Sequence, residues 1–282
     1  MTGGNTGMVR PQMGDALIVL LVALAALIMI LPIAWVIALS FKLNQELKLD
    51  TNAVFHAPYT LKNYLDVLGG SNVFRWFLNS VIVSLGMTVG VLILSSLAGY
   101  GFARLRFPGR DILFVLVLFG LAVPEQAVIV ARHQIFSILK LHNTYPGLIL
   151  PGLAAPFGVF LMTQYFREIP KELDEAALLD NASRFSIFWK VLLPQTIPAQ
   201  ATLGVFTFLG AWNDYLWPLI SATKKEMYTI TTGIASMQTN FAQTEGLGFL
   251  MAQAVFAGLP TLLVYLFFQK YIVAAVSGRA AR

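Results

Sequence analysis

The sequence predicts an all-α membrane protein, a bundle of six transmembrane helices with a helical loop on its cytoplasmic side. Three observations predict it. Of 282 residues, 57% are hydrophobic and 12% charged, against about 25% charged in ordinary soluble domains. Six windows are long and charge-poor enough to cross a hydrocarbon core, which takes about 20 apolar residues. Those windows are continuous apolar runs, whereas the strands of a membrane barrel alternate over about 10 residues.

Residues 1–15 form a polar, Gly-rich tail, expected to be disordered and cytoplasmic. The first window, Ala16 to Phe41, is too long for the apolar core of a secretory signal, and five more windows follow it. In the outer loop from Lys42 to Arg75, the recurrence of Leu61, Tyr64, Leu65 and Leu68 at helical spacing predicts a short helix lying on the outer surface. Trp76 to Ala103 is the second window and Ile112 to Ala131 the third, the latter interrupted by Pro124 and Glu125. Either Glu125 faces a cavity inside the membrane, or the helix ends at Pro124 and Glu125 sits at the interface. Asn143 to Phe166 is the fourth window. The fifth, Val191 to Thr223, contains Asp214, and the sixth, Gly246 to Ser277, contains Lys270. The Thr-rich outer loop Lys224 to Glu245 carries no recognisable chemistry, and 278–282 is a second tail. With no linker or repeat, residues 16–277 read as one domain.

Lys and Arg concentrate in short cytoplasmic loops. With both termini inside, 11 of the 19 basic residues fall on the inner side and 8 on the outer. The turn "ARLRFPGRD" alone holds Arg104, Arg106 and Arg110. Topology accounts for the net charge of +5, and nucleic acid is not implied.

Several chemistries are excluded. There is no Cys, and no Gly-rich loop followed by Lys and Ser or Thr to cradle ATP phosphates. His56, His133 and His142 fall in outer loops without the spacing of a helical metal pair. No Ser sits in a nucleophile-elbow pattern. An enzyme has no residues to stand on, which leaves transport, channel or scaffold work.

One charged stretch interrupts the apolar chain: "FREIPKELDEAALLDNASRFSIFWKVLLPQTIP", residues 166–198. Pro170 fits the first turn of a helix, and Glu172, Asp174 and Glu175 follow where the helix dipole favours negative charge. Asn181 tolerates positive φ and is a suitable terminator. Ser183 can cap a second, amphipathic helix in which Phe185, Phe188, Trp189 and Leu192 form one stripe, ended by Pro194. Such a hairpin can lie on lipid headgroups or dock a protein. Its acids oppose an anionic membrane, and Ala176 and Ala177 permit close approach, which favours a cytoplasmic protein partner.

In "WNDYLWP", Asn213, Asp214 and Tyr215 could line a polar path or hold helices together as polar glue. Trp212 and Trp217 read as membrane-interface anchors.

The run Glu175-Ala176-Ala177, a turn residue at 181 and "VLLP" ending at Pro194 resembles the EAA motif of the membrane subunits of binding-protein-dependent ABC importers. The family's usual turn Gly is replaced by Asn181, and "AVSGRAAR" replaces its Gly-rich ending. "NTYPGLILPGLAAPFGVFLMTQYFREIPKELDEAA", "GAWNDYLWPLI" and "LPTLLVYLFFQKYIVA" are similar to the carbohydrate branch, the six-span subunit of maltose and oligosaccharide importers. The resemblance implies a multi-pass protein of the bacterial inner membrane, with both termini cytoplasmic, working by alternating access. It implies a second homologous permease, two ATP-binding subunits that hold ATP and Mg, and a periplasmic or lipid-anchored solute-binding protein. No cofactor is expected in this chain. The loop 167–197 would receive the work of ATP hydrolysis through Glu175, Ala176, Ala177, Asp180, Asn181 and Pro194. Asn213, Asp214, Tyr215 and Glu125 are the candidates for the substrate path. Sugar alcohols and glycerol phosphate are alternative cargoes within the family. A self-sufficient secondary transporter or channel would instead need ionisable residues in several spans, and only Glu125 and Asp214 qualify.

Overall fold

The computed structural model describes residues 13–43, 53–69, 72–238 and 246–276. Among these every regular element is helical. The expected tails lie almost wholly outside the described residues, and so does part of the loop 224–245. The chain divides into two compact units, residues 1–67 with 241–255, and residues 68–240 with 256–282.

The first unit contains α1 (Met13–Ser40), apolar on every side and with Pro32 inside it. From Leu17 to Pro32 its described side chains are all exposed, as suits a helix whose solvent is lipid. Most of the short helix α2 (Lys62–Gly69) follows, at the place the sequence predicts. Its buried residues, however, are Asn63 and Val67, while Leu61, Leu65 and Leu68 are exposed. The reason is polar: Asn63 Nδ2 donates to the carbonyls of Ser40 at 2.8 Å and Lys42 at 2.9 Å, capping the end of α1. Two otherwise orphaned carbonyls outweigh the burial of a leucine stripe. Lys42 is itself buried, its Nζ donating to the carbonyls of Pro58 (2.9 Å) and His56 and lying 4.2 Å from the Tyr59 ring centroid.

The second unit is built on α3 (Val73–Arg104), 32 residues with no proline. Beside it run α6 (Tyr145–Leu153) and α7 (Pro156–Glu168), the fourth window, bent by 48° between the two. Small residues let the backbones approach. A Cβ on Gly99 would sit 2.7 Å from Met162 Cβ, and one on Gly158 would strike Ser95 Oγ. The third window is α4 (Arg110–Phe119) and α5 (Glu125–Ile138), separated at Pro124, which favours the reading that the helix ends there. The fifth is α11 (Ile197–Asn213) and α12 (Leu216–Ser221), broken at Asp214 and Tyr215. By length and apolarity alone, α1, α3 and α13 (Leu247–Val276, divided between the units) qualify as spans, with the α6–α7 pair as a fourth. The third and fifth windows are each built as two helices around a break.

A buried cluster at the Arg104 end of α3 joins Tyr100, Met162 and Phe166 to Ile187, Phe188, Leu192 and Leu203. The Tyr100 ring lies between Phe166, edge-on at 5.9 Å, and Phe188, tilted at 5.1 Å. This core holds the interrupting hairpin against α3 and α7.

Candidate functional site

The hairpin opens with α8 (Glu172–Leu179), whose first turn carries Glu172, Asp174 and Glu175. Lys171, one residue past Pro170, takes the N-cap. Asn181 closes the helix at φ 57°, in the left-handed region. Its N–H donates to Leu178 O at 3.0 Å, and the N–H of Ala182 donates to Ala177 O at 3.0 Å. These two bonds make a Schellman motif, so the turn expected of Gly is made by Asn. Ser183 then caps the next segment, its Oγ accepting from the N–H of Ser186 at 3.2 Å.

That segment is not a uniform helix. A turn of α9 (Arg184–Ser186) leads into a π-helical stretch, Ile187–Leu192, and then a last turn, α10 (Leu193–Gln195). Pro194 explains the widening, because its ring would collide with the carbonyl four residues back in a regular helix. The widened turns also split the predicted stripe. Ile187, Phe188 and Leu192 are buried, while Phe185 (65% exposed) and Trp189 (53%) face out. Leu179, at 85%, is exposed beside Glu175, Ala176 and Asp180. The hairpin thus presents an acidic, small and apolar surface that a soluble loop would not leave uncovered.

Arg104, the last residue of α3, holds the hairpin in place. Its Nη1 lies 3.3 Å from Asp174 Oδ2, with both side chains nearly buried, and its Nη2 donates to Ile169 O. The contact is an ion pair without hydrogen-bond alignment, since neither Asp174 oxygen has a hydrogen-bond partner. In the sequence Arg104 counted only as a topology signal; a buried aspartate at the start of α8 is what asks for it.

The other candidate residues lie at the opposite end of α3. Asp214 ends α11, and its carbonyl accepts from Thr231 Oγ1 at 2.7 Å. Asn213 is exposed and donates back to Leu209 O at 2.8 Å. Glu125, in the first turn of α5, pairs with Arg132 at 2.7 Å, and both lie within electrostatic reach of Asp214. The structure thus pairs Glu125 with Arg132, while Asn213 bonds within its own helix and Tyr215 is exposed. Trp212 and Trp217 are buried donors to Ala257 O and Gly147 O, not interface anchors. His133 lies on α5, not in a loop, stacked 4.6 Å from His142. Among the described residues no group of three potential metal ligands converges.

A family profile described as "Binding-protein-dependent transport system inner membrane component" matches residues 92–278, which include the hairpin, its Arg104 tether and the helices on either side. The chain belongs to this family. Among relatives, the arabinooligosaccharides transport system permease protein AraQ of Bacillus subtilis is 37% identical over 74% of this chain and 74% of its own. The diacetylchitobiose uptake system permease protein NgcG of Streptomyces coelicolor is 34% identical over 91% of this chain and 85% of its own. In fold the chain is similar to a subunit of a bacterial ABC transporter for the acidic polysaccharide alginate. The TM-score is 0.77, at 21% identity over 92% of this chain and 98% of that one. As an inner membrane transport component, the chain needs no catalytic centre of its own.

Proposed function

We propose that this chain is the permease subunit of an ATP-driven importer that carries a sugar or oligosaccharide across the bacterial inner membrane. A solute-binding protein delivers the cargo, a second homologous permease completes the path, and two ATPase subunits hold ATP and Mg. Both termini lie on the ATPase side. The observation that carries the mechanism is the exposed face of the hairpin, with Glu175, Ala176 and Leu179 on a helix tied to α3 through Arg104 and Asp174. Glu175 meets a basic residue of the ATPase, Ala176 and Ala177 allow close seating, and Asp180, Asn181 and Pro194 fix the shape of the loop. Closure of the ATPase pair pulls this loop, and the second unit moves between outward and inward access. Carbohydrate is favoured as cargo because the relatives include permeases named for arabinooligosaccharides, diacetylchitobiose and trehalose. A phosphate ester is the second reading, on the relative named for sn-glycerol-3-phosphate transport in Pectobacterium atrosepticum, 34% identical.

The test is Glu175→Lys and, separately, Ala177→Asp in the assembled complex. Each is expected to lower binding-protein-stimulated ATP hydrolysis and uptake at least tenfold, as removing a favourable interfacial charge contact or adding a repulsive one costs about 2 kcal/mol or more. Normal rates in a stably assembled complex would remove the coupling role. The ligand held by the cognate binding protein decides between the cargoes.

A further inference from the structure

At the end of α3, between the α3–α4 turn and α8, lies a cleft of about 830 Å³. Five cations line it: Arg104, Arg106, Arg110, Lys171 and Arg184. Two carboxylates oppose them, Asp174 and Glu175. Asp174 is engaged by Arg104, and Arg110 by the exposed Asp111 at 2.9 Å. Arg106, Lys171 and Arg184 make no ion pair among the described residues and leave the cleft strongly positive. A second hollow of about 430 Å³ shares Arg106, Phe107 and Arg110 with it and adds Ile112 as an apolar wall. Phe107 and Ile112 are both exposed.

Depth identifies the occupant. Arg104 is the last residue of a 32-residue apolar helix, so the cleft opens where a membrane-spanning segment reaches the headgroup layer. Cations at that depth, with an apolar wall running back toward the span, match a molecule that is a phosphate at one end and hydrocarbon at the other. We propose that this cleft binds an anionic phospholipid, its phosphate among Arg106, Arg184 and Lys171 and its acyl chain along Phe107 and Ile112. The site is independent of the carbohydrate reading and needs only that α3 spans the membrane. Because α8 forms one wall, the bound lipid braces the same helix that Arg104 tethers.

The full-length chain, purified without partner subunits, is equilibrated with mixed micelles of phosphatidylglycerol and phosphatidylcholine, and bound lipid is counted by native mass spectrometry. Wild type is expected to retain phosphatidylglycerol in preference. Arg106→Gln with Arg184→Gln should weaken that retention roughly thirtyfold, the product of about fivefold per cation near an anionic lipid. Arg106→Lys with Arg184→Lys should keep most of it, which separates charge from misfolding. Lys224→Gln with Lys225→Gln removes equal charge elsewhere and should change nothing. No lipid preference in wild type, or equal loss in the Lys224 and Lys225 control, overturns the proposal. Inorganic phosphate displacing the lipid at equal concentration would assign the site to a free anion, and release of the lipid on adding the cognate ATPase subunits would assign it to a protein contact. Either result also overturns it.

Discussion

At the scale of single residues, the Arg104–Asp174 pair is the contact whose removal is most costly. Taking one partner from a buried pair strands the other charge, a loss of about 3 kcal/mol or more. Arg104→Met is therefore expected to lower the thermal stability of the chain and the yield of assembled complex. Arg104→Met combined with Asp174→Leu should recover most of the loss, because neither Asp174 oxygen is hydrogen bonded and the pair gains little from its geometry. A double-mutant cycle read by thermal unfolding in detergent checks this; an unrecovered double variant would mean that Arg104 acts through Ile169 O rather than Asp174. Asp214 calls for a different expectation. Its hydrogen bond to Thr231 Oγ1 is made by the main-chain carbonyl, which Asn keeps, so Asp214→Asn should leave transport KM within about twofold. A tenfold rise measured by uptake into liposomes would restore Asp214 to the sugar path beside Glu125.

At the scale of elements, the helix α8 depends on its terminator. A β-branched residue at φ 57° costs about 1–2 kcal/mol in backbone strain, whereas Gly costs none. Asn181→Gly is expected to preserve binding-protein-stimulated ATP hydrolysis, and Asn181→Val to lower it while adding protease sensitivity between Leu179 and Ser183. Equal activity in the two variants would mean that the loop's shape is imposed by the ATPase. This turn was legible in the sequence because it rests on local chemistry: a cap, an αL residue and a Ser at fixed spacing. The existence of α2 was legible for the same kind of reason, yet its buried face was not, because two carbonyls of a distant segment chose Asn63 over the leucines. Nor was the π stretch legible. Phe185, Phe188, Trp189 and Leu192 fit a regular helix, and only the packing of Phe188 against Tyr100 shows which half of the stripe is inside. Long apolar windows announce membrane segments well; the break at Pro124 has a local cause and was one of two readings of the sequence, whereas the one at Asp214 is tied to a distant residue, Thr231, through its carbonyl.

At the scale of the molecule, the second unit has a mechanical axis. Helix α3 spans roughly 48 Å at 1.5 Å per residue and contains no proline to hinge on. Its Arg104 end is fixed to the hairpin by Arg104 and by Tyr100, whose hydroxyl donates to Arg184 O at 3.2 Å. Its Val73 end is fixed to the loop 225–230. There Trp76 Nε1 donates to Lys225 O at 2.8 Å, Asn79 Nδ2 donates to the carbonyls of Glu226 and Tyr228, and Ser80 Oγ accepts from the N–H of Ile230. A loop without chemistry of its own is thus bonded to the same helix that carries the candidate coupling site. A helix tied at both ends in this way transmits displacement as a rigid strut, since packed interiors do not deform continuously. Spin labels at the exposed positions Lys190 and Lys225 should therefore report one narrow distance distribution by double electron–electron resonance. That distribution should be the same in the assembled complex with and without ATP. A shift or broadening on adding ATP would mean that α3 bends or that one of its ends lets go, and any displacement at the hairpin would have to reach the loop 225–230 by another helix.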